Sequence, residues 1–300
     1  MPSRLTHLTR RDWMFLAAAL PLSGAAKKQN RIACQCYVFE QQYAERKQKT
    51  IDHVDDILSD VVSAGYHAVE LTSTYFTPES TTESLSLLDK HGLALPIAYI
   101  GGPMHDDRWH KTYDTTLAYA DRLKPHKGLE AISFNCDPKP RSEAKTDAEL
   151  TTEAQALDQL GKDLNQRGLR LLVHAHAPEI ADRAREWRYF FHHTAPANVG
   201  ICLDTHWVFR GGENVMDILN EAGKRIGDVH LRNSVNRIWL EELADGDVDY
   251  HAVAAALKKL HYKGWLTVEL AWDTQTQRSR TLVEDLKRSR EYTERVFADL

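Results

Sequence analysis

Short β-branched runs alternate with longer amphipathic runs eight times along this chain, and that alternation constrains the fold more than any other feature. The pattern predicts strands over 31–39, 67–71, 93–100, 131–135, 169–173, 199–203, 226–231 and 265–270. Helical patterns fill the gaps, over 51–64, 80–91, 111–123, 147–167, 180–193, 215–222 and 250–260, and a last one covers 281–297. In the first, Ile51, Val54, Ile57, Leu58, Val61 and Val62 recur at the three- and four-residue spacing of one helix face, and Gly65 closes the run. Parallel strands need a crossover between them, which a helix supplies. Eight strand–helix units in about 270 residues match a single closed (β/α)8 TIM barrel, an α/β fold. An open doubly wound sheet is the alternative. It wants a glycine-rich turn after the first strand, and Phe39-Glu40-Gln41-Gln42 has none.

The first 26 residues read as an address rather than as part of the barrel. Arg10-Arg11 precede an apolar run from Trp13 to Leu22, and small residues Ser23-Gly24-Ala25-Ala26 follow. A basic start, an apolar stretch and a small-residue cleavage point make an export signal, here of the twin-arginine type. The run is too short to cross a bilayer, which takes ~20 apolar residues. The expected organisation is therefore a signal over 1–26 and one barrel over 27–300, periplasmic or otherwise exported, with no stable membrane span after processing. An amphipathic first helix is the competing reading of this segment.

Charge narrows the partners. The chain carries 38 basic and 43 acidic residues, a net −5, and loss of Arg4, Arg10, Arg11 and Asp12 with the signal makes it −7. Such a surface does not advertise binding to a nucleic-acid backbone. Four cysteines in 300 residues do not make a disulfide scaffold, and Cys34, Cys36, Cys136 and Cys202 read as buried thiols.

In barrels of this type the chemistry collects where the strands end. Glu70 stands at the end of the second predicted strand and Asn135 at the end of the fourth. The fifth runs into His174-Ala175-His176, the sixth into Asp204-Thr205-His206, the seventh through His230 to Arg232, and the eighth into Glu269. By the two-residue strand period, His174 shares a face with His176, Asp204 with His206, and His230 with Arg232. One such residue is ordinarily a cap or a solvated side chain; four successive strands delivering them together are not. Imidazoles mixed with carboxylates suit one divalent transition metal, Mn, Zn, Co or Fe, better than Ca or Mg. The expected ligands are His174, His176, Asp204, His230 and Glu269. Glu269, Glu70 and His206 are candidates for proton transfer, and Arg232, Trp207, Asn135 and Arg210 for holding substrate.

With these residues the chain resembles the xylose-isomerase-like barrel superfamily of sugar phosphate isomerases and epimerases, as an exported member. The resemblance rests on Leu203-Asp204-Thr205-His206, Val229-His230-Leu231-Arg232-Asn233-Ser234, Val268-Glu269 and the acidic turn Asp245-Gly246-Asp247-Val248-Asp249. It implies a metal held by residues of strands five to eight, with Asp204, His230 and Glu269 in the last three places. The fifth strand departs from the usual Glu and offers His174 or His176. With that Glu absent, a one-base isomerisation or β-elimination fits better than a symmetric epimerisation. The function implied is a metal-dependent isomerase, epimerase or lyase acting on a free sugar or keto-sugar through an enediolate-type intermediate, with a small carbohydrate as partner and a homo-oligomer allowed. A non-catalytic carbohydrate-binding barrel and an AP-endonuclease-like phosphodiesterase are the alternatives; the acidic charge counts against the second.

Overall fold

The computed structural model describes residues 31–126 and 128–300; the predicted export segment, 1–26, lies outside the described residues. The barrel strands are β1 (Ile32–Gln35), β2 (Ala68–Thr72), β3 (Ala94–Gly102), β4 (Ala131–Cys136), β5 (Arg170–His174), β6 (Val199–Asp204) and β7 (Ile226–Leu231). A hairpin of β8 (Ser234–Val235) and β9 (Ile238–Trp239) follows, and then the last barrel strand, β10 (Trp265–Val268). Every neighbouring pair in the barrel is parallel, and β1 pairs with β10 to close the ring. The predicted (β/α)8 barrel is therefore the fold.

The helices are α1 (Tyr37–Glu45), α2 (Val54–Ser63), α3 (Thr81–His91), α4 (Trp109–Leu123), α5 (Asp147–Gln166), α6 (Ala177–His193), α7 (Thr205–Gly211), α8 (Val215–Ala222), α9 (Tyr250–Lys259) and α10 (Leu282–Val296). In α2 the stripe turned onto the outer barrel surface is apolar: Val54, Ile57, Leu58 and Val61, all buried. Helix α5 starts with a capping box: the Glu149 amide donates to Thr146 Oγ1 (3.3 Å), and Glu149 Oε2 accepts from the Thr146 amide (2.6 Å). Among the described residues, no helix is long and apolar enough to cross a membrane.

The barrel interior is layered, because alternate residues of each strand point inward. Ile97, Ala131, Leu172 and Cys202 form a small apolar cluster of their own, packed against Trp265 and separate from the core beneath the helices. Two residues further along, β5 and β6 present His174 and Asp204. An apolar plug thus closes the lower barrel, and polar groups stack above it.

Two expectations need correction. The predicted first strand, 31–39, stops at Gln35, and Tyr37–Phe39 begin α1 instead. Val38, Phe39 and Tyr43 are the buried residues of α1; the four-residue step from Phe39 to Tyr43 is helical, which a short apolar run conceals. The sixth strand also ends earlier than the pairing of Asp204 with His206 requires. Asp204 caps α7, its carboxylate accepting from the Trp207 amide (2.7 Å), so the chain turns helical at Thr205 and the two-residue period lapses.

Candidate active site

Strands β5, β6 and β7 and the residue after β10 bring His174, Asp204, His230 and Glu269 to the C-terminal mouth of the barrel. Their ligand atoms all lie within 4.8 Å of one another, and all four side chains are buried. Asp204 pairs in register with His230 across β6 and β7, and Asn135 with His174 across β4 and β5. His174 Nε2 stands 3.5 Å from Asp204 Oδ2, and His230 Nδ1 3.1 Å from Glu269 Oε2.

The hydrogen bonds around His174 test whether this set suits a metal. Asn135 donates from Nδ2 to the Cys136 carbonyl (2.9 Å), which leaves Asn135 Oδ1 to accept from His174 Nδ1 (3.1 Å). The ring proton is then on Nδ1, and Nε2 carries a lone pair. That atom is buried and has no hydrogen-bond partner among the described residues. A lone pair aimed at a carboxylate oxygen is repulsive unless a cation lies between them. Two imidazoles and two carboxylates are the donor set of a transition metal, so the residues fit one, with His174, Asp204, His230 and Glu269 to hold it. Asn135, expected to bind substrate, instead fixes the tautomer of His174.

Below this level lies a sealed polar layer. His230 Nε2 is 3.2 Å from Glu70 Oε1 and 3.2 Å from Asp228 Oδ2, and all three residues are fully buried. Asp228 Oδ1 accepts from Thr267 Oγ1 (2.8 Å) and the Val229 amide (2.9 Å). Burial opposes charge on His230, yet Cys202, Glu70 and Asp228 hold its pKa well above the usual imidazole range. Burial also pushes Glu70 up to about 7, against the pull of His230. Glu70 was expected to move protons at the mouth. The strand runs on to Thr72, so Glu70 sits fully buried behind His230, where it orients the ring. Asp228 escaped the sequence reading, although its two-residue step to His230 put both on one face.

Arg232 spans the carboxylates. Its Nη2 donates to Asp204 Oδ2 (2.9 Å), and Nη1 is 3.7 Å from Glu269 Oε2. Its guanidinium carbon lies 4.8 Å from the ring centres of both Trp207 and Trp239. Burial alone would raise the Asp204 carboxyl; the Arg232 guanidinium reverses this and holds it far below the usual carboxylate range. The hairpin that carries Trp239 is pinned by the acidic turn: Asp247 accepts from Ser234 Oγ (2.6 Å) and from the Arg237 amide (2.7 Å). Gly246 makes this possible, since a Cβ there would lie 2.2 Å from the Ser234 carbonyl oxygen.

Three other expected residues resolve differently. His176 lines the cavity beside His174, ring centres 4.8 Å apart, but stays outside the four-residue donor set; burial lowers its pKa to about 3. His206 points away from the cavity, its Nε2 2.9 Å from Ser234 Oγ, because α7 turns it outward. Arg210 donates to the Arg237 carbonyl (2.6 Å) and lies over Trp239, bracing the hairpin from behind.

Above the donor set opens a cavity of about 830 Å³. Tyr37, Tyr99, Trp207 and Trp239 wall its inner part, with Glu269 and Arg232. Glu40, also on the wall, accepts from Thr72 Oγ1 (2.5 Å) and Thr74 Oγ1 (3.1 Å). Tyr37 and Glu40 were hidden from sequence reading by the misplaced end of β1; a helix there makes them neighbours, three residues apart on one face.

A barrel of this topology with its donor set on successive strand ends defines a class, and sequence comparison gives the family. The family described as xylose isomerase-like TIM barrel matches residues 58–292, and the chain belongs to it. An inosose dehydratase of Geobacillus kaustophilus is 25% identical over 276 residues, covering 82% of this chain and 88% of that protein. One from Mesomycoplasma hyopneumoniae is 25% identical over 248 residues, covering 73% and 81%. Among solved structures, an L-ribulose 3-epimerase superposes with a TM-score of 0.72 at 18% identity, covering 90% of this chain and 95% of that one. A D-allulose 3-epimerase from Methylomonas sp., in complex with D-allulose, gives 0.70 at 17%, covering 89% and 97%. These structural likenesses concern the fold.

Proposed function

We propose that this protein is a metal-dependent carbohydrate lyase or isomerase that removes a proton beside a carbonyl of a free sugar or keto-polyol. The observation that carries the reading is the buried, unpartnered Nε2 of His174 facing the Asp204 carboxylate within a four-residue donor set. The sequence relatives named inosose dehydratase and the superposing sugar epimerases support the class. A bound divalent ion would supply Lewis acidity, stabilising charge that develops on the substrate oxygens.

The chain's own residues set the rest. Of the acidic residues lining the cavity, Glu269 alone also belongs to the donor set, and it is placed to take the proton. Arg232, held against two indoles that meet edge-on, offers its remaining N–H groups to substrate oxygens. His176, neutral by burial, can hydrogen-bond a hydroxyl without adding charge. Histidine on β5 leaves one base at the centre. That suits elimination of water, or isomerisation by one base, better than exchange between two faces. We also propose that segment 1–26 exports the protein. Arg10-Arg11 and the apolar run after them support this, and finding an intact N-terminus on protein from the cytoplasmic fraction would refute it.

The test is proton exchange. Protein loaded with Mn2+ or Co2+ is incubated in D2O with a panel of ketohexoses and keto-inositols, and carbon-bound deuterium is followed by NMR. The expected result is exchange with at least one compound, lost together with bound metal in His230→Ala. Protein that binds no metal, with exchange absent whether or not metal is added, would overturn the reading.

A further inference from the structure

The cavity is larger than the chemistry at its inner end requires. A hexose has about twelve heavy atoms; at no more than the ~30 Å³ that a water takes up in the liquid, it fills less than about 360 Å³. The cavity holds about 830 Å³. By the same bound a disaccharide of about 23 heavy atoms needs less than about 690 Å³ and still fits.

The outer part is a built surface. Its residues are Gln41 and Glu45 of α1 and Trp272, Asp273, Thr276 and Arg278 of the segment after β10. Gln41 clamps this segment to α1 through both backbone groups of Trp272: its Nε2 donates to the Trp272 carbonyl (3.0 Å), and its Oε1 accepts from the Trp272 amide (2.9 Å). Asp273 accepts from the Trp239 amide (3.2 Å) and the Gln275 amide (2.8 Å), tying the same segment to the hairpin of the inner site. The Arg278 guanidinium carbon lies 4.3 Å from the Trp272 ring centre, and Nη1 donates to Glu45 (2.8 Å). Arg278 is thus held flat, with N–H groups to spare at a half-exposed position.

This chemistry selects the occupant. An apolar group would strand the carboxylates and the guanidinium. A phosphate would meet Arg278 already neutralised by Glu45 and would face Asp273 close by. A second sugar ring offers hydroxyls that both donate and accept, which matches carboxylates beside guanidinium, amide and threonine. Resting on the function proposed above, we infer that the outer cavity is a subsite for a second sugar unit, so that the preferred substrate is a glycoside or disaccharide carrying the reactive keto-sugar at its inner end.

The experiment compares a ketohexose with its own glucosides. Binding of D-fructose, turanose, maltulose and isomaltulose to the Mn2+-loaded full chain is measured by calorimetry; the disaccharides place glucose on O3, O4 and O6 of fructose. At least one should bind about tenfold tighter than fructose, the worth of one or two added hydrogen bonds. Arg278→Ala should erase that preference. Glu45→Gln, which keeps the shape and frees Arg278, should alter it and is the second variant should Arg278→Ala not fold. If fructose binds and no glucoside binds more tightly, the subsite is refuted while the function above stands. If nothing in the panel binds the metal-loaded protein, that function fails and the subsite with it.

Discussion

Asn135 carries the sharpest test of the site. Its Oδ1 accepts from His174 Nδ1 at 3.1 Å, and among the described residues no other hydrogen bond holds that ring. Asn135→Ala removes the acceptor; Asn135→Asp keeps an acceptor and adds charge. Loss of a ligand's outer hydrogen bond typically costs 10–100-fold in metal affinity, roughly 1.4–2.8 kcal/mol. Packing limits the loss here. Tyr99 meets the ring edge-on at 5.5 Å between centres and His176 at 4.8 Å, so the ring keeps its place while its tautomer is freed. The expected loss for Asn135→Ala is therefore at the low end, about tenfold, and Asn135→Asp should bind as tightly as the parent or more so. Competition with a chromogenic chelator measures the affinities, and the visible spectrum of the Co2+ form reports the ligand set. An unchanged dissociation constant in Asn135→Ala, or an equal loss in Asn135→Asp, would refute the tautomer argument.

Other consequences follow from the same geometry. Lys145 is buried against Glu153 (2.6 Å) and Glu186, so Lys145→Met should lower stability by about 3–5 kcal/mol, seen as a marked drop in melting temperature. Burial, then Glu186, raises Glu179 to about 7, so the folded state holds its proton longer than the unfolded chain does. The stability this group contributes is complete below about pH 4.5 and is lost as pH rises through about 7, at about 1.4 kcal/mol per unit. Glu179→Gln should flatten that slope in urea melts between pH 5 and 8. Arg232→Lys cannot reach both Asp204 and Glu269 from its place against Trp207 and Trp239 and should cut kcat/KM by about 10–100-fold, an effect of about 1.4–2.8 kcal/mol, with little change in melting temperature.

The barrel was legible because its period is repeated and its strands are buried on both faces. The metal-competent residues were legible because strand ends are where β-branched runs stop, and His174, Asp204, His230 and Glu269 each stop one. What sequence periodicity could not show is where a strand yields to a helix. At Gln35 an aromatic run hid the start of α1, and with it Tyr37 and Glu40 on the cavity wall. At Asp204 a cap ended the strand two residues before His206, which therefore does not share its face. Depth was equally hidden: Glu70 and Glu269 look alike as strand-end acids, yet one lies behind His230 and the other beside it, because β2 extends further past its acid than β10 does. The four cysteines, read as buried thiols, are buried and free.

The stacked arginine has a consequence for which ion the centre prefers. Arg232 already sits on both carboxylates, so an arriving cation meets far less negative charge than two acids would give it. Ions drawn chiefly by charge to hard oxygen, such as Mg2+ and Ca2+, lose most by this; ions that bond to imidazole nitrogen lose least. The indoles of Trp207 and Trp239 belong to no residue of the donor set, but by holding the guanidinium they act as a filter on ion identity. Thinning either indole should make the centre less discriminating as the arginine drifts from its acids.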